Sequence, residues 1–165
     1  MEYINAVVAR YQHKGLLIDT NLLLLYFIGG YDPDRIPKFK RTMAFTVAEF
    51  RLLSRFLDVF DKLVTTPNVL TEVSNLSGQL AEDLRTTFYS DFANRIPLLE
   101  EHYVPSVDAK SWAHFNKFGL TDSGIVNLVK DKYLVLTDDL NLVGYLQNQG
   151  IDVINFNHIR SLAWG

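Results

Sequence analysis

Four acidic sites in this chain stand where carboxylates can act together. Asp19 directly follows the apolar run Leu16-Leu17-Ile18, and the pair Asp138-Asp139 follows a second apolar run, 133–137. Glu72 lies just past the first turn of a segment opening at Thr66-Pro67, and Asp122 lies at the start of one opening at Leu120-Thr121. Two carboxylates about 4–5 Å apart repel by roughly 3–4 kcal/mol at an effective dielectric of about 20. Three or four in one cleft therefore need protons or a cation to offset the repulsion. The chain has no cysteine, and His13, His102, His114 and His158 show no ligand spacing, so all-oxygen ligation favours Mg²⁺ or Mn²⁺ over zinc. A cation so held polarises a phosphoryl oxygen and lowers the pKa of a bound water, which suits phosphodiester hydrolysis.

Taken one at a time, these residues have a plainer explanation. Asp and Thr at a strand-to-helix junction are preferred N-caps and complement the helix dipole. Asp19, Asp122 and Asp138 each read first as caps, and Glu72 as a solvated helix residue. Thr20, Asn21, Thr121, Ser123 and Thr137 are capping types as well. Only convergence of the four sites argues for chemistry.

Convergence depends on the elements that carry them. Residues 1–14 form a short helix or a docking arm, and 16–19 a strand. The apolar block 22–28 is a buried helix closed by Gly29-Gly30. Residues 31–41, with Pro33 and Pro37, form a loop. Thr46 and Glu49 have capping-box spacing and open an amphipathic helix over 46–60. A short strand follows over 63–66, then helices over 67–76 and 78–95, the first with Thr66 as N-cap and Pro67 at its first position. Tyr103-Val104 reads as a short strand, 112–118 as a helix ending at Gly119, and 120 onward as the next helix. A strand over 133–137, a helix through Gln149 stopped by Gly150, and a last strand over 151–156 complete the chain. Strands alternate with helices and no hairpin turn intervenes, so the fold class is α/β with a central parallel sheet of about four to five strands. In such a sheet the strand carboxyl ends and the following helix starts share one edge, where ligands bind. Asp19, Asp122 and Asp138-Asp139 belong to that edge, and Glu72 lies within about a turn of it.

A length of 165 residues without a repeat or linker indicates one domain, 1–165. No apolar run is long enough to span a bilayer, and the first residues lack a secretory pattern, so a cytoplasmic location is expected. Net charge is −3 and pI about 5.8, which argues against a simple non-specific nucleic-acid binder. The one dense basic patch is Lys38-Phe39-Lys40-Arg41, near Arg35. Lys38, Lys40 and Arg41 are candidate RNA contacts with Phe39 stacking on a base, although a solvated charged loop is the simpler view. A P-loop is absent, and Asp19-Thr20-Asn21 lacks the second aspartate used by haloacid-dehalogenase-like phosphatases.

The blocks LLIDTNLLL, TTPNVLTEVSNL, LTDSGIVNL and LVLTDDLNL resemble, in order and spacing, the four acidic blocks of PIN domains, the family that includes VapC-type toxin ribonucleases. The resemblance covers roughly 15–156. It implies a three-layer α/β/α sandwich, metal-dependent endoribonuclease activity with Mg²⁺ or Mn²⁺, and frequent homodimers. A toxin-type member would also have an antitoxin-like protein partner. Asp19, Glu72, Asp122 and Asp139 would be the catalytic, metal-holding acids, with Asp138 as the rival of Asp139, and Asn21 and Thr137 the accompanying polar residues. Residues 29–62, a loop plus a helix, are longer than in the small toxins and form an insertion. Two other classes stay open: a PIN-like module that binds RNA or protein with little catalysis, and a phospho-acceptor receiver-like domain. The latter needs an acid pair after the first strand, where this chain has Asp19-Thr20-Asn21.

Overall fold

Strands β1 (Leu16–Ile18) and β4 (Leu134–Thr137) are buried at every residue, as expected of parallel strands covered on both faces. They lie at the centre of a five-stranded, all-parallel sheet in the order β3-β2-β1-β4-β5. The other strands are β2 (Leu63–Thr65), β3 (Glu100–Glu101) and β5 (Val153–Asn155). The structure, a computed structural model, describes residues 2–163; Met1 and residues 164–165 of the expected domain lie outside the described residues. Helices cover both faces, giving the three-layer α/β/α sandwich. From β1 the chain steps outward to β2 and β3, then returns to β4 beside β1 and leaves the other way to β5. The strand order therefore reverses between β1 and β4.

Helix α2 (Thr20–Tyr31) is the hub of its layer, packing against α3 (Val47–Leu57), α4 (Pro67–Ser77) and α5 (Glu82–Arg95). Leu22, Leu23, Leu24, Leu25, Phe27 and Ile28 are all fully buried, the pattern of a helix that is apolar all round. Gly29 and Gly30 do not close α2, contrary to expectation, but lie inside its last turn. They are small because neighbours crowd them. A Cβ on Gly29 would run into the Phe50 ring, and one on Gly30 would lie 2.6–2.9 Å from the Arg95 guanidinium.

Several boundaries differ from the sequence expectation for identifiable reasons. Residues 1–14 include a helix, α1 (Glu2–Tyr11), rather than an arm, anchored by Tyr11 Oη donating to Asp152 Oδ2 at 2.9 Å. The supposed loop 31–41 contains a 3₁₀ turn, Pro33–Lys38, and is folded into the core through Ile36 and Phe39, with Thr42 Oγ1 donating to Ile36 O at 2.9 Å. The Thr46–Glu49 capping box opens α3 as its spacing predicts. Helix α5 starts at Glu82, after a turn, rather than at 78. The third strand is Glu100–Glu101 and not Tyr103-Val104, since Tyr103 is 77% exposed. A two-residue acidic edge strand, with Lys62 Nζ 3.1 Å from Glu100 Oε2, carries no apolar alternation to betray it. Between it and β4 lie a one-turn helix, α6 (Ser106–Ala109), and α7 (Phe115–Val129), which breaks at Gly119 with φ 77° and ψ −170°. Only glycine tolerates that conformation readily, so the expected helix end and restart fall where the backbone breaks.

Helix α8 (Leu140–Asn148) leads to β5, which is shorter than the apolar run 151–156 suggests. The side chain of Asn155 accepts from Asn157 N at 2.9 Å and turns the chain into a further helix, α9 (Phe156–Ala163), that the sequence did not suggest. One contiguous core results. No helix among the described residues is long and apolar enough to cross a membrane.

Gly29→Ala is expected to lower stability by about 1–3 kcal/mol through overpacking against Phe50, although alanine is the better helix former. Chemical denaturation checks this, and pairing it with Phe50→Leu should return part of the loss. A net gain from Gly29→Ala alone would show that Phe50 yields freely.

Candidate active site

Strands β1 and β4 are in register, Ile18 beside Leu136, so the residues that follow, Asp19 and Thr137, meet where the strand order reverses. Thr137 Oγ1 donates to Asp19 Oδ2 at 2.6 Å, and the other carboxylate oxygen accepts from Thr20 N at 2.7 Å, capping α2. The same Thr137 oxygen accepts from Asp139 N at 3.0 Å, so one hydroxyl ties the two strand ends together. Asp139 Oδ1 accepts from Asn141 N and Leu142 N at 2.7 and 3.2 Å, capping α8. Asp19 is a cap, as the plainer explanation has it, but α8 is capped by Asp139 and not by Asp138, and Asp122 lies inside α7 rather than at its cap.

Glu72 reaches that edge from α4. Its carboxylate accepts from Thr20 Oγ1 at 2.9 Å and from Thr121 Oγ1 at 2.5 Å, which draws the start of α2 and the broken middle of α7 onto one side chain. Asp122 comes next after Thr121. Burial, with the nearby carboxylates of Asp19, Asp139 and Glu72 adding to it, pushes its carboxyl from the ordinary 3.8 up to about 7. Asp19 is pushed up to about 6, chiefly by burial, while its two hydrogen bonds hold the carboxylate form against that rise. Asp138 is raised by burial as well, opposed by Asn21 Nδ2, which lies 3.5 Å from its Oδ1. Its backbone carbonyl accepts from Asn157 Nδ2 at 3.0 Å, which fastens α9 to the site.

Asp19, Glu72, Asp122 and Asp139 thus share one electrostatic neighbourhood, with Asp138 close to Asp19. They do not form a closed cage: among the described residues no three carboxylate or imidazole groups converge as metal ligands. Each acid that accepts a hydrogen bond is turned toward its own donor. The donor set is nevertheless all oxygen, with Asp19 and Asp122 raised by burial and neighbouring charge, which fits a hard divalent cation and suits no soft one.

The basic patch divides. Phe39 is buried and cannot stack on a base, because it belongs to the core beneath the 3₁₀ turn. Lys40 and Arg41 line a cleft of about 370 Å³ together with Asn21, Asp138 and Arg160, while Lys38 lines a second one of about 290 Å³ with Arg35 and Leu84, and Lys40 borders both. Arg160 was not singled out by the sequence, since nothing marked 156–163 as a helix. The hydroxyls of Thr20 and Thr121 were legible as capping types but not as partners of Glu72. His13 and His102 pair with Asp61 and Glu100, away from the acids, and His114 packs edge-on against Tyr145.

Carboxyls held above their ordinary pKa bind more protons folded than unfolded, so without metal they cost stability as pH rises from about 4 to about 7. Asp122→Asn should therefore raise the melting temperature in EDTA, by more at pH 8 than at pH 5. Equal or absent shifts at the two pH values would contradict the crowding. No protein-family model matches the chain, and no curated protein matches it.

Proposed function

We propose that this protein is a metal-dependent endoribonuclease whose Asp19, Glu72, Asp122 and Asp139 hold Mg²⁺ or Mn²⁺, with Asp138 at the flank. The observation that carries this reading is the placing of four carboxylates along the edge where the strand order reverses, near enough for their charges to act on Asp122, with Asp19 and Asp122 pushed up to about 6 and about 7. Bound there, a divalent cation would polarise a phosphoryl oxygen and make a nucleophile of water at neutral pH. The chain's own residues set the stage. Thr137 Oγ1 fixes Asp19 Oδ2, and Thr20 and Thr121 fix Glu72, so these carboxylates are oriented before a ligand arrives. Asp122 carries a proton close to neutral pH and releases it when positive charge is brought near. Asp139 is preferred to Asp138 through the Thr-x-Asp context of the PIN resemblance; the charges of both act on Asp19, and that of Asp139 also on Asp122.

RNA as substrate, a cytoplasmic location, a homodimer and an antitoxin-like partner belong to the same proposal through the PIN resemblance. One observation favours a second reading, a binding module without hydrolysis: both oxygens of Glu72 are already occupied by threonine hydroxyls.

The test is cleavage of a quenched, mixed-sequence single-stranded RNA with Mn²⁺, Mg²⁺ or EDTA. Activity with either metal and none in EDTA is expected. Asp19→Asn should lower it by more than the 10–100-fold typical of outer-shell partners, and Thr137→Val by about that factor. Full activity of Asp19→Asn would refute the assignment, and absence of both cleavage and Mn²⁺ binding would favour the binding module. Mn²⁺ affinity, followed by calorimetry, should rise with pH up to about 7, as the Asp122 proton comes off; a flat profile would remove Asp122 from the metal site.

A further inference from the structure

We propose that the cleft beside the acids, walled by Lys40, Arg41 and Arg160, is a phosphate subsite that takes one unpaired nucleotide of single-stranded RNA. The proposal rests on the ribonuclease reading for its choice of nucleic acid. Its other supports are independent of catalysis.

Position is the first support. The cleft of about 370 Å³ is lined by Asn21 and Asp138, the residues that adjoin Asp19. A strand whose phosphate rests on the three cations therefore continues directly to the carboxylates.

Charge is the second support. In a chain of net charge −3, this small cleft carries three cationic side chains against one lining carboxylate, Asp138, with Arg160 also paired to Glu49, and the cationic excess is one that composition hides.

Arg160 is also pre-positioned. Its Nη1 donates to Glu49 Oε1 at 3.2 Å, and its guanidinium lies 5.7 Å from the centre of the Phe45 ring. Glu49 is itself fixed, its other oxygen accepting from Thr46 N at 2.8 Å in the capping box. One bond to Glu49 leaves most of the five guanidinium donors for a ligand, in a planar fork suited to phosphate. Arg41 is steadied in the same manner, Nε donating to Gln79 Oε1 at 2.9 Å. The 29–62 segment thereby acquires a role, since its turn supplies two of the cations and its helix supplies the carboxylate that holds the third.

Shape selects the single strand. The volume lies at the small end of the range for ligand pockets, about 300–1,000 Å³, and Phe45 and Leu76 add apolar wall for a sugar or base. A flexible strand can lower one nucleotide into such a recess, whereas a duplex keeps its phosphates on a stiff convex surface. An acidic peptide could match the charge, and the test distinguishes it.

The experiment is fluorescence anisotropy of a labelled single-stranded RNA of about eight nucleotides, within the usual site size for such proteins, in EDTA so that hydrolysis plays no part. The whole protein is compared with Lys40→Gln, Arg160→Gln and, as a charge-matched control, Lys132→Gln, which lies before β4 at the opposite edge of the sheet. Lys40→Gln and Arg160→Gln should each weaken binding roughly tenfold and flatten the dependence of log Kd on log salt by about 0.7. Lys132→Gln should do neither, and duplex RNA of the same sequence should bind far more weakly. Because Lys40 is exposed, its variant keeps the test valid even if Arg160→Gln disturbs α9. Unchanged affinity in Lys40→Gln and Arg160→Gln, duplex binding equal to the single strand, or equal competition by an oligoglutamate peptide would each overturn the proposal. Cleavage with Mn²⁺ alongside unchanged binding in the variants would sink the cleft and leave the nuclease. Cleft-dependent binding without cleavage would uphold the cleft and sink the nuclease.

Discussion

A carboxylate at the end of a strand with no exposed residue must find partners or lose its charge. Asp19 is in that position, 7% exposed beyond a strand that is wholly buried. Its partners are the amide of the helix it caps and the hydroxyl of Thr137 on the neighbouring strand. The second bond is possible only because β1 and β4 are adjacent, parallel and in register. The adjacency of β1 and β4, the reversal of strand order between them and the placement of the first acid are thus one constraint. Around it, Thr137 orders the 137–139 turn, Asp139 caps α8, and Glu72 joins α2, α4 and α7 through two threonines.

That arrangement is stable but not relaxed. Burial and mutual repulsion hold Asp19 and Asp122 well above the ordinary carboxylate range. Structural caps gain from full ionisation, so a fold that used these acids only as caps would draw no benefit from crowding them. A site that must attract a divalent cation gains from crowding, because the repulsion relieved on binding adds to affinity. The helix that Asp19 caps is fully buried along most of its length and closely packed at Gly29.

The elements that hold the site were legible where chemistry is local. Asp19 stands out because an apolar strand ends abruptly in an acid, and Thr66-Pro67 and Thr46–Glu49 announce helix starts through capping geometry alone. What the sequence concealed depends on distant partners. Glu72 meets Thr20 and Thr121 across 52 and 49 residues, and no periodicity records such a meeting. Gly29-Gly30 imitates a helix stop because crowding and chain termination both select glycine. The start of α9 is hidden inside an apolar run whose Asn155 is a turn residue rather than a strand residue, and Arg160 was lost with it. Phe39 could be mistaken for a recognition residue because its neighbours are cationic, while its own ring is in the core.

The most direct measurement is anomalous diffraction at the manganese edge from crystals soaked in MnCl₂. An anomalous peak is expected among the carboxylates of Asp19, Glu72, Asp122 and Asp139, absent from crystals of Asp19→Asn. A fully occupied peak elsewhere with none at these acids, or a peak that survives unchanged in Asp19→Asn, would contradict the metal assignment.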